Sequence, residues 1–133
     1  QILKVKSQMD SGMFKPLQLA AVQALAQGPE WFAQLNDEYR RRRVLAGEIF
    51  DLLGAEYDRS SSGMFLWGKV RGDKDAEGRS AGQVVSDRIL YEAGVFITPG
   101  FIFGRNGENY IRISLCAKPE TLRQAAEKIK EIL

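Results

Sequence analysis

Leu17, Ala20, Ala21, Ala24 and Leu25 recur at helical spacing, with Pro16 at a starting position and Gly28 at a stop; this predicts a helix from Pro16 to Ala26. Ahead of it, Ser7 to Gly12 reads as a polar loop between two helical stretches. Pro29 opens a second helix that should run to about Leu53, where Gly54 ends it; its apolar stripe is Trp31, Leu35, Tyr39, Ile49 and Phe50. Met64 to Val70 reads as a strand, and Arg71 to Gly78 as a charged surface loop. Ser80 followed by Gln83 fits a capping box for a helix carrying Val84, Val85, Ile89 and Leu90 and stopping at Gly94. Val95 to Thr98 reads as a strand ended by Pro99-Gly100, Gly104 to Gly107 as a turn, and Asn109 to Cys116 as a further strand. Pro119 opens a last helix with Leu122, Ala125, Ala126, Ile129 and Ile132 on one face.

That order of elements predicts an α/β fold, a small mixed sheet covered by helices. Within the strand Tyr110 to Leu115 the alternation is strict. Side chains alternate across a sheet with period two, so Ile111, Ile113 and Leu115 share the core face while Tyr110, Arg112 and Ser114 share the other. An arginine in mid-strand between two isoleucines is a poor solubility charge. Its planar fork suits bidentate recognition of a carboxylate or a phosphate. The plainer alternative is an arginine stacked over the far face or paired with a loop carboxylate.

Composition narrows the chemistry. The 133 residues are 44% hydrophobic and 27% charged, enough for one domain with a core of its own. The chain has no histidine and one cysteine, Cys116. That excludes a Ser-His or Cys-His pair, an imidazole acid or base, an intrachain disulfide and a Cys-rich metal site within it. A net charge of +2, from 19 basic and 17 acidic side chains, does not point to nucleic acid. Arg40 to Arg43 do not alter this. Successive helical residues turn by about 100°, so the four arginines spread around the helix, and Asp37 with Arg41 and Glu38 with Arg42 have the favourable i,i+4 polarity. No apolar run approaches the ~20 residues of a membrane span. The start, Gln1-Ile2-Leu3-Lys4, lacks an initiator Met and a signal-peptide pattern, and reads as a cut from a longer chain; the amphipathic end at Leu133 reads as natural.

Four segments, in order, resemble the C-terminal part of class I/II aminotransferases, pyridoxal-phosphate enzymes of fold type I. Asp10-Ser11-Gly12-Met13-Phe14 with Gln18 and Ala20-Ala21 resembles the segment at the end of their large domain. Glu92-Ala93-Gly94-Val95 fits the end of the helix entering the small-domain strand, and Thr98-Pro99-Gly100-Phe101-Ile102-Phe103-Gly104 resembles the Pro-Gly-x-x-Phe-Gly run that follows it. Asn106 to Leu115 resembles the segment around the arginine that binds the substrate α-carboxylate. The resemblance implies residues 1–28 as the end of the large domain with its connecting helix and residues 29–133 as the C-terminal small domain. It implies Arg112 as the substrate-binding residue, with ping-pong amino transfer between an amino acid and a 2-oxo acid in the whole, homodimeric, cytoplasmic enzyme. Ser11 and Gly12 lie in a loop that approaches the active site in the family, and receive no individual role. The Asp10-Ser11-Gly12 style leans toward alanine, aspartate or diaminopimelate-like substrates.

The family places an arginine eight residues after the lysine that holds the cofactor. None of the eight lysines here has one, so no catalytic or cofactor-binding residue is expected within these 133 residues, and no bound pyridoxal phosphate. A free-standing regulatory α/β domain that binds an amino acid through Arg112 without chemistry is the alternative function.

Overall fold

The computed structural model describes residues 1–9 and 12–133; the Asp10-Ser11 part of the loop segment lies outside the described residues. In chain order the elements are α1 (Ile2–Met9), α2 (Lys15–Leu25), α3 (Pro29–Leu52), β1 (Glu56–Tyr57), β2 (Phe65–Lys69), α4 (Ala81–Ala93), β3 (Thr98–Pro99), two 3₁₀ turns (Gly100–Phe103 and Arg105–Gly107), β4 (Tyr110–Ser114) and α5 (Pro119–Lys130). Contacts divide them into two compact units, Gln1–Asn36 and Asp37–Leu133, the boundary falling inside α3.

The first unit buries none of its described helical side chains. Leu17, Leu19, Val22 and Leu25 of α2 are all exposed, as are Trp31, Phe32 and Leu35 of α3. α1 extends through Ser7-Gln8-Met9, where the sequence pattern suggests loop. The Ser7 hydroxyl donates to the Lys4 carbonyl at 3.0 Å, a back-bond a helix accommodates.

In the second unit a four-stranded sheet, ordered β1-β2-β4-β3, carries the core on one face. All three pairings are antiparallel, which corrects the expected mixed sheet. The strand expected over Val95 to Thr98 shrinks to Thr98–Pro99, paired as Thr98↔Arg112 and Pro99↔Ile111. One residue earlier, on the edge turned away from β4, the Ile97 carbonyl accepts the buried Ser86 hydroxyl of α4. Against the core face pack Ile49 and Phe50 of α3, Ile89 of α4 and Ile129 of α5, meeting Leu66, Ile111 and Ile113 of the sheet.

Local chemistry explains the ends of the elements. The Ser80 hydroxyl accepts the Gln83 amide at 3.4 Å and caps α4, while the reciprocal bond from the Gln83 side chain does not form. Gly94 ends α4 with φ 65°, a left-handed conformation in which its amide reaches the Leu90 carbonyl at 3.1 Å. β4 stops at Ser114, whose hydroxyl takes the Cys116 amide at 3.2 Å.

Of the arginine run, Arg42 and Arg43 tie α3 to other parts of the second unit. Arg42 binds Glu38 at 2.8 Å and the Leu115 carbonyl at 3.1 Å, fastening α3 to the end of β4. Arg43 reaches the Gly63 carbonyl at 3.0 Å. Asp37 pairs with Arg40 one turn away, not with Arg41.

Candidate functional site

The sheet face opposite the core is lined by Phe65, Trp67 and Lys69 of β2 and by Tyr110, Arg112 and Ser114 of β4. Arg112 stands mid-strand with Trp67 as its partner on one side and Thr98 on the other. It is half-buried and faces away from Ile111 and Ile113, as the alternation requires.

Aromatic rings surround its guanidinium. The central carbon lies 4.3 Å from the Phe65 ring centre, 4.3 Å from that of Phe103 and 5.9 Å from that of Trp67. Trp67 in turn meets Phe103 edge-on at 5.2 Å and Tyr110 at 6.4 Å. Cation–π contacts of this kind hold a guanidinium without using any of its N–H donors.

Phe103 reaches this position through the first 3₁₀ turn. That turn lies so close to the second that a Cβ on Gly100 would stand inside contact distance of the Gly107 carbonyl and 2.8 Å from that of Tyr110. Only a residue without a side chain permits the approach. Gly104, at φ 114°, links the two turns in a conformation that favours glycine.

Arg112 has no carboxylate partner among the described residues. Arg40, Arg42, Arg59, Arg71, Arg79, Arg88 and Arg123 each lie within ion-pair distance of an acid, whereas no described acid lies that close to Arg112. Its Nε is buried and makes no hydrogen bond. A buried N–H on a cation without an acceptor is costly, and such groups call for an explanation. Of the plain alternatives for this arginine, the loop salt bridge is therefore not formed. The stacking is formed, and it leaves the donors free.

Beside the sheet, where β3 stops short, a groove of about 480 Å³ opens between Val95–Thr98, Arg112–Ser114 and the α5 residues Thr121, Gln124 and Lys128. No Asp or Glu lines it. Its lysine, Lys128, is exposed, and so is Lys69 on the outer face. Pyridoxal phosphate needs an amine for covalent attachment, an acid beside its ring nitrogen and a cradle for its phosphate. The groove supplies no acid, and these residues do not fit the cofactor. Among the described residues no cluster of three or more His, Cys, Asp or Glu side chains could hold a metal ion. No helix of the described residues is long and apolar enough to cross a membrane.

The outer-face position of Arg112 was legible from the sequence; Phe65 and Phe103 as its flanking rings were not. The available signal was β2's alternation, which puts Phe65 and Trp67 on one face, but the register that sets them beside Arg112 has no local signature. Of the loop residues, Ser11 lies outside the described residues, and a Cβ on Gly12 would meet no atom within 4 Å.

The fold places the chain among α/β domains of fold-type-I aminotransferases. It resembles the probable N-succinyldiaminopimelate aminotransferase of Thermus thermophilus with a TM-score of 0.77 at 27% identity, over 98% of this chain and 33% of that one. It also resembles the aromatic aminotransferase of Pyrococcus horikoshii OT3, with a TM-score of 0.69 at 31% identity, over 87% of this chain and 30% of that one. The sequence pattern of aminotransferase class I and II matches residues 1–129, and the chain belongs to that family. The LL-diaminopimelate aminotransferase of Aquifex aeolicus (strain VF5) is 40% identical over 129 residues, 97% of this chain. The chain spans about a third of the length of the curated relatives it matches, 32% in that case.

Proposed function

We propose that this chain is the substrate-carboxylate-binding part of an aminotransferase that moves an amino group between an amino acid and a 2-oxo acid. The observation that carries the reading is Arg112, a guanidinium held between rings with no acid beside it and a buried Nε lacking an acceptor. A planar carboxylate supplies the missing charge and accepts from the outer N–H groups of the fork, in a geometry with two parallel hydrogen bonds. Holding the α-carboxylate also fixes the orientation of the α-carbon, which is the contribution of Arg112 to catalysis.

The cofactor of the family, pyridoxal phosphate, is held on this reading by residues outside these 133. Residues 1–28 then close the large domain and residues 29–133 form the small one. The exposed apolar face of α2 packs on the large domain or on the second subunit of a homodimer, in a cytoplasmic enzyme. The names of several relatives favour a diaminopimelate-like amino acid as substrate.

A full-length protein carrying this chain, supplied with pyridoxal phosphate, is expected to exchange amino groups between 2-oxoglutarate and diaminopimelate, aspartate or alanine. The 133 residues alone should show no pyridoxyl adduct after borohydride reduction and mass spectrometry. A full-length protein that binds amino acids but transfers no amino group would favour the regulatory alternative. A stoichiometric adduct on one of the eight lysines would place the cofactor in this chain after all.

A further inference from the structure

We infer that Phe65 and Phe103 are positioning residues that make Arg112 selective for a planar carboxylate over a tetrahedral oxyanion; the inference rests on the carboxylate reading above. All five N–H donors of a guanidinium lie in its plane. The two ring centres each stand 4.3 Å from its central carbon. On this inference the two rings cover the faces of the guanidinium plane and leave its edge to a ligand.

At that edge a carboxylate places both oxygens in the guanidinium plane. A phosphonate or sulfonate can do the same with two oxygens, but a third must leave the plane. That oxygen turns toward the rings, loses water and finds no donor there. The rings also restrict rotation of the fork before any ligand arrives, so less freedom is lost on binding.

The two rings come from different parts of the chain. Phe65 belongs to β2, and Phe103 to the 3₁₀ turn fastened at Gly100 and Gly107. Phe103 is half exposed on its turn, so shortening it leaves the core intact.

The test uses the full-length enzyme with Phe65→Leu, Phe103→Leu, Phe103→Tyr and Arg112→Lys beside wild type. It reads kcat and KM for the amino acid, and competition by L-alanine and by 1-aminoethylphosphonate. Each leucine variant is expected to raise KM roughly two- to fivefold, the size of an exposed to partly buried cation–π contact, with a smaller change in kcat. Each should also narrow the preference for alanine over its phosphonate, while Phe103→Tyr, which keeps the ring, stays within about twofold of wild type. A merely structural role would lower the active fraction, and with it kcat, and leave KM and the anion preference unchanged; that result overturns the inference. If Arg112→Lys impairs the enzyme but both leucine variants keep wild-type KM and preference, the inference about the rings falls alone. If Arg112→Lys has no effect, the carboxylate reading falls with it. Should Phe65→Leu fail to fold, the Phe103 pair decides.

Discussion

Arg112→Lys in the full-length enzyme is expected to lower kcat/KM for the amino acid by tenfold or more. Lysine keeps the charge but replaces a flat fork with a compact ammonium on a flexible stem. The guanidinium carbon lies 4.3 Å from the ring centres of both Phe65 and Phe103, contacts that a flat, delocalised cation makes better than an ammonium. An ammonium there cannot present two parallel N–H bonds to a carboxylate. Losing a charge-assisted hydrogen bond costs about 1.5–3 kcal/mol, which corresponds to at least a tenfold loss. Cofactor occupancy, read from the visible spectrum, should be unchanged, since on the proposed reading Arg112 contacts the substrate and not the cofactor. Steady-state kinetics beside wild type decide the matter, and an unchanged kcat/KM would end the carboxylate assignment.

Gly100→Ala is expected to cost about 3 kcal/mol of stability and to lower Tm by roughly 10 °C. Most added methyl groups displace side chains, which can turn aside. This one meets backbone: the Gly107 carbonyl, and the Tyr110 carbonyl at 2.8 Å. Relief requires the two 3₁₀ turns to part or β4 to shift, and either movement carries Phe103 away from Arg112. The same substitution should therefore raise KM in whatever fraction of full-length enzyme stays folded. Thermal denaturation followed by circular dichroism measures the first effect. A Tm within about 2 °C of wild type would show that the turns separate freely.

The sequence made the helices legible because each carries its own boundary chemistry. Pro29 and Pro119 open α3 and α5, Ser80 caps α4, and Gly94 closes it in a left-handed conformation. Arg112 was legible for a related reason, since period-two alternation assigns its face without knowledge of any neighbour. What stayed hidden depended on contacts between distant residues. The two-residue β1, the shortened β3 and the antiparallel sense of every pairing come from register between distant strands. The flanking rings were hidden likewise, because Phe65 and Phe103 lie 47 and 9 residues from Arg112 in the chain and meet it only once the sheet and turns have formed.

The early end of β3 gives β4 two unequal edges, and the inequality should be visible amide by amide in deuterium uptake. Leu115 donates its N–H toward β2, to the Met64 carbonyl at 2.8 Å. Successive strand residues point their amides to opposite edges, so those of Ile111 and Ile113 also face β2, where five residues of β4 are paired. The amides of Arg112 and Ser114 face the other way. There Arg112 has Thr98 as its partner, while the Ser114 amide has no acceptor among the described residues and opens into the groove. Ser114 should thus take up deuterium quickly between two slow neighbours, a single fast amide marking the point where the sheet comes unzipped beside the arginine.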